Sequence, residues 1–154
     1  MTQKILVPLD GSDFAEAILD DVVGLAAGGR AEVVLLRVQE APTEVMVEQG
    51  RVIYLDEQMS WVESEMTEYL KIVERRLRSR GMQVTSAMSF GDTATEILRY
   101  AQDNDVDLIA MTTHARSGLE ALWRGSVARD VYYKASVPVL LKRLSEKEVA
   151  ERAA

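Results

Sequence analysis

Two hydrophobic periods alternate along this chain, and that alternation constrains its fold more than any other feature. "KILVPL" (4–9) is an apolar run closed by the turn cluster "DGSD". Residues 13–27 then place Phe14, Ala17, Ile18, Val22 and Leu25 at helical spacing. Asp13 with Glu16 reads as an Asp variant of the capping box, and Gly28-Gly29 as the stop. "AEVVLLRV" (31–38) is a near-continuous apolar run, the kind that a parallel sheet buries on both faces. Residues 39–56 follow neither period.

From Glu57 the helical repeat returns through Met59, Val62, Met66, Tyr69, Leu70, Val73 and Leu77, and it stops before Gly81. Trp61 falls off that stripe. The acidic start and basic end of this stretch suit a helix dipole. A strand is expected at 82–89, a helix at 92–104, a strand at 107–113, a helix at 125–135 and a last strand at 137–143. Residues 144–154 read as a polar tail, helical or frayed.

The order βαβαβαβαβ predicts an open five-stranded parallel sheet with helices on both faces, joined by right-handed crossovers. At 154 residues, one domain over 1–143 with the tail at 144–154 is the simplest division. No run approaches the roughly 18 apolar residues of a membrane span. The apolar start is too short for a signal peptide, and cysteine is absent, so a reducing cytoplasm is the expected compartment. A net charge of −7 argues against nucleic acid as the main partner, but says nothing against a small anion held locally.

In such a sheet, ligands bind beyond the carboxyl ends of the strands, where strand order reverses. Two strand ends carry polar turns: "PLDGS" and "TTHARSG". If the first and fourth long strands are neighbours, both turns line one crevice. Asp10 there is suited to accept hydrogen bonds from ribose hydroxyls. Gly125-Ser126 opens a helix whose free N–H groups favour an anion, and Ser126 is also a sound N-cap in its own right. Arg116 adds charge to the intervening loop. His114 is the only histidine, so it cannot build a zinc site, and loop ordering or a phosphate contact is its expected role. No P-loop and no G-x-S-x-G elbow occurs, which lowers the case for kinase or hydrolase chemistry.

"KILVPLDGS", "GDTATEIL" and "MTTHARSGLEALWRGSVARDVYYKASVPVLL" together resemble the universal stress protein family across residues 4–143. The resemblance implies a Rossmann-like fold of the adenine nucleotide α-hydrolase type. It also implies a stress-response regulatory module binding ATP, with or without Mg²⁺. Chemistry is expected to be absent or confined to slow hydrolysis or autophosphorylation. The family's adenine and ribose contacts match Pro8, Leu9, Asp10 and Val38. Its G-x-x-G-x9-G-S/T loop falls on Thr112, Ala115, Gly125 and Ser126, and Met111, His114, Arg116 and Val127 complete the expected set.

Two loop glycines are thus replaced, by Thr112 and Ala115. A methyl at Ala115 costs about 1 kcal/mol if left-handed φ is needed there, and Thr112 costs little if its backbone is extended. The alternative is a family member that has lost the nucleotide and acts as a protein-interaction module. The apolar last strand, 137–142, tolerates Pro138 only at a sheet edge, and such an edge invites a second copy. Family members commonly dimerise through it. A homodimer and a regulatory protein partner are therefore expected, with no nucleic acid and no membrane.

Overall fold

The alternating periods resolve into β1 (Gln3–Pro8), α1 (Asp13–Glu16), α2 (Leu19–Ala26), β2 (Ala31–Gln39), β3 (Val47–Glu48), β4 (Arg51–Val52) and α3 (Leu55–Arg78). These are followed by β5 (Gln83–Phe90), α4 (Thr93–Asp103), β6 (Leu108–His114), α5 (Ser126–Lys134), β7 (Val139–Leu144) and α6 (Glu146–Ala153). The computed structural model describes residues 2–40, 47–48, 51–52, 55–114 and 126–153. Five strands form one parallel sheet in the order β5-β2-β1-β6-β7, and β3 pairs with β4 as a separate antiparallel ribbon. The chain runs outward from β1 to β2 and β5, then returns to the other side of β1 for β6 and β7. The reversal therefore lies between β1 and β6, so the first and fourth long strands are neighbours, the condition under which their two polar turns line one crevice.

Period-two alternation divides the core. Ile5, Val7, Val33 and Leu35 face a layer built on Ile18, Leu19 and Val22 with Leu70, Val73 and Leu77 of α3. Leu6, Val34 and Leu36 point the other way, onto Ala94, Ile97 and Ala101 of α4 and Ala128 and Val131 of α5. Helices thus cover both faces, and each strand residue belongs to one layer only.

Three local expectations need correction. The helix expected over 13–27 is broken at Ala17-Ile18 into α1 and α2. The break turns the buried stripe onto Leu19, Val22 and Ala26 and leaves Leu25 52% exposed. The cap of α1 is Ser12, not Asp13: the Ala15 N–H donates to the Ser12 hydroxyl oxygen at 3.1 Å. Glu16 does not reach back as a capping-box residue because α3 claims it. Tyr69 donates its phenol proton to Glu16 Oε1 at 2.8 Å, and Arg76 pairs with Oε2 at 2.5 Å.

The polar tail is a capped helix. Ser145 and Glu148 exchange hydrogen bonds as a capping box at the start of α6. Arg152 of that helix donates to the Asp13 carbonyl at 3.1 Å, so α6 is tied to α1. Trp61, off the apolar stripe of α3, is 69% exposed. Among the described residues no helix is long and apolar enough to cross a membrane.

Candidate functional site

The chain leaves β1 at the strand reversal through Pro8, Leu9 and Asp10. The Leu9 N–H donates to the Leu36 carbonyl at 2.9 Å, which fixes the end of β1 against β2. Asp10 then folds the turn on itself: its Oδ1 accepts from the Ser12 N–H at 2.9 Å and from the Ser12 hydroxyl at 2.5 Å. Gly11 sits at φ +90°, where a side chain is strained. Among the described residues the other Asp10 oxygen has no hydrogen-bond partner, and the residue is exposed. A carboxylate held by one oxygen with the second open to solvent is suited to accept a hydroxyl donor.

Beside this turn lies a crevice of about 350 Å³, within the range of small-molecule sites. Pro8, Leu9 and Asp10 of the β1 end, Val38 of β2, Met111 and Thr112 of β6, and Val127 of α5 all line it. So do Phe14, Ala15, Leu36, Thr93, Ile97, Thr113 and Ala128, which sequence reasoning did not single out. Leu36 was findable, since it stands two residues before Val38 on the same face of β2. Thr93 and Ile97 were findable only once α4 was known to flank β2. One helical turn separates them, so they share a face.

His114 closes β6, and Ser126 opens α5, whose first turn puts Val127 and Ala128 on the crevice wall. Ala115, Arg116 and Gly125 lie outside the described residues. Thr112 pairs with Lys142 of β7 inside the ladder, so its backbone is extended and needs no glycine. Its hydroxyl donates to the Ala15 carbonyl at 3.1 Å, tying α1 to β6 across the crevice.

The opposite wall is equally fixed. The Gly91 N–H donates to the Gln39 carbonyl at 3.0 Å, joining the end of β2 to the entry of α4. Gly91 holds φ +144° with the Glu96 side chain packed against it. Glu96 is buried, accepting from the Ser89 hydroxyl and pairing with Arg99. Asp92 caps α4 through the Thr95 hydroxyl and N–H, and the hydroxyl bond is the larger cause holding its carboxyl below the usual range. Among the described residues no group of three or more His, Cys, Asp or Glu side chains is placed to hold a metal ion.

The lower face of the β1 turn is braced by charge. The Arg37 guanidinium stacks over the Tyr69 ring at 5.2 Å and abuts Gly11. Burial is the main influence raising the Tyr69 phenol above its ordinary range, and its bond to Glu16 adds to it.

These features define an α/β domain of the doubly wound class, with an apolar crevice at the switch point and, on its rim, a carboxylate with one oxygen open to solvent. Residues 1–143 match the universal stress protein family. A curated relative, universal stress protein YxiE of Bacillus subtilis, is 30% identical over 93% of this chain and 100% of its own length. The solved structure of MJ0577, a universal stress protein of Methanocaldococcus jannaschii, superposes with TM-score 0.77 at 29% identity, covering 95% of this chain and 99% of that one. The chain belongs to the universal stress protein family. A universal stress protein in complex with cAMP shares the fold at TM-score 0.69 and 17% identity, covering 94% of this chain and 98% of its own. One from Archaeoglobus fulgidus in complex with dAMP does so at TM-score 0.61 and 20% identity, covering 92% and 97%.

Proposed function

We propose that this protein is a cytoplasmic regulatory module of the stress response that binds ATP or another adenine nucleotide in the switch-point crevice. The observation that carries the reading is convergence. Apolar walls sized for a purine, the free oxygen of Asp10 and the first turn of α5 meet in one crevice. The base lies between Val38 and Met111, the ribose donates to Asp10, and the phosphates lie toward the start of α5, where free N–H groups attract an anion. Family members of the same fold solved with cAMP and dAMP support adenine as the base. The extended backbone of Thr112 removes one of the two objections that the replaced glycines raise. Ala115, Arg116, Gly125 and Ser126 would take the phosphates, with Mg²⁺ accompanying the triphosphate.

No nucleophile or base is assigned, and hydrolysis is slow or absent in this reading. The protein acts as a homodimer through the outer edge of β7, which ends the sheet and pairs only with β6 among the described strands. Occupancy of the crevice is the signal that a regulatory partner reads.

One observation favours a second reading, an interaction module without nucleotide. Thr112 stands where a glycine is expected, and its hydroxyl is already committed to Ala15. Mass spectrometry of the denatured protein, followed by calorimetric titration of ATP with and without Mg²⁺, separates the two. Released adenine nucleotide or saturable binding supports the first. No nucleotide and no heat at millimolar ATP overturns it. Sedimentation at micromolar protein is expected to give a dimer, and a monomer overturns the β7 interface.

A further inference from the structure

We propose that Thr93 sets the base preference of the crevice by hydrogen-bonding the polar edge of a 6-aminopurine, an inference that rests on the nucleotide reading above. Three threonines line the crevice: Thr93, Thr112 and Thr113. The Thr112 hydroxyl is spent on the Ala15 carbonyl, and Thr113 is buried and engaged within the protein. Among the described residues the Thr93 hydroxyl has no protein partner, so it is the one available to a ligand.

Its surroundings identify the part of the ligand it meets. Asp10 and Thr112 lie toward β1, β6 and α1, the polar end. Thr93 of α4 lines the crevice from the β2 side with Leu36, Val38 and Ile97, all apolar, and Met111 of β6 belongs to the same apolar cluster. An aromatic base belongs on that side, and there a single hydroxyl is the main polar feature offered by a side chain. A base carrying a hydrogen-bonding group opposite Thr93 gains a bond among apolar neighbours. A base lacking it leaves the hydroxyl unpaired beneath an apolar ring.

The position is also preorganised. Thr93 is the first residue of α4, immediately after the Asp92 cap, and the Gly91–Gln39 bond fixes that entry to the end of β2. Buried Glu96 braces the same turn through Ser89 and Arg99. These ties hold the α4 entry against the end of β2, so little ordering cost falls on the bond.

Calorimetry with two probes tests the assignment: ATP, and the triphosphate of the unsubstituted purine riboside, which lacks the 6-amino group. The parent protein is expected to prefer ATP by about three- to tenfold, the range of one net hydrogen bond. Thr93→Val, which keeps the shape and leaves the Asp92 cap intact, is expected to weaken ATP by that factor and to change the unsubstituted purine analogue little. Thr93→Ser is expected to restore the preference. If the parent binds neither triphosphate, the nucleotide reading fails and takes this inference with it. If the parent binds ATP but Thr93→Val weakens both ligands alike, or neither, the Thr93 assignment alone is overturned. Should Thr93→Val fail to fold, equal affinity of the parent for the two probes is the overturning result.

Discussion

The two faces of the sheet are held in different ways. The α1–α2–α3 face is laced with polar ties: Glu16 to Tyr69 and Arg76, Asp20 to Arg80, and Arg37 stacked on Tyr69. The α4–α5 face packs largely through small and branched apolar residues, Ala94, Ile97, Ala101, Ala128 and Val131. Most of the crevice opens on this second face, where Ala128 leaves space beside Ile97 and Met111. The contrast has a physical logic. In the nucleotide reading proposed above, a wall that accepts a flat apolar ring cannot be crossed by ion pairs. The polar ties therefore gather on the far face and at the rims, holding the β1 turn and the α4 entry while the centre stays open.

The largest effect expected from breaking this contrast lies on the tied face. Leu77, 1% exposed and packed against the sheet, is remote from the crevice. Leu77→Ala is expected to cost about 2–5 kcal/mol in urea unfolding. Its ATP affinity should stay within twofold of the parent when measured well below the unfolding midpoint. A parallel loss of affinity would show that the two faces are not separable.

A smaller change in stability and a larger one in binding are expected on the open face. Ala128→Leu pushes a branched side chain into the crevice, and its cost in stability is about 1–3 kcal/mol. ATP affinity is expected to fall by more than about tenfold, equivalent to about 1.4 kcal/mol, as read by calorimetry. Unchanged affinity would place the base elsewhere and remove the main support for the nucleotide reading.

The same contrast explains how much was legible in the sequence. Five parallel strands and the two-sided core follow from the alternation of periods, because Ile5 and Val7 against Leu6 already divide the faces, whereas the strand order comes from the pairing of β1 with both β2 and β6. Pro8, Leu9, Asp10, Val38, Met111 and Thr112 were legible from the polar turns at strand ends and from the family resemblance, and all of them line the crevice. Thr93, Ile97 and Ala15 were not, because only the packing of α4 and α1 brings them to the strands, and no local period reports it. The break at Ala17-Ile18 was hidden for a related reason. Glu16 takes its partners from α3, across the fold, and the capping Ser12 stands just outside the pattern over residues 13–27.

The smallest effect probes the tie itself. Tyr69→Phe keeps the ring beneath Arg37 but removes the phenol that donates to Glu16, at a cost of about 1 kcal/mol near neutral pH. The folded state raises the Tyr69 phenol above its ordinary value of 10.0, by burial first and by the bond to Glu16 second. Folding therefore favours the protonated form. The stability this confers is fully present below pH 10.0 and is lost as pH climbs from there toward the raised value of the folded protein. Phenylalanine has no proton to lose. The parent should thus lose stability more steeply than Tyr69→Phe above pH 10.0, and the two unfolding curves should converge. Chemical denaturation from neutral pH to the alkaline limit of reversible folding checks this. Parallel slopes for the two proteins would mean that neither burial nor the bond to Glu16 holds the Tyr69 proton in the folded state.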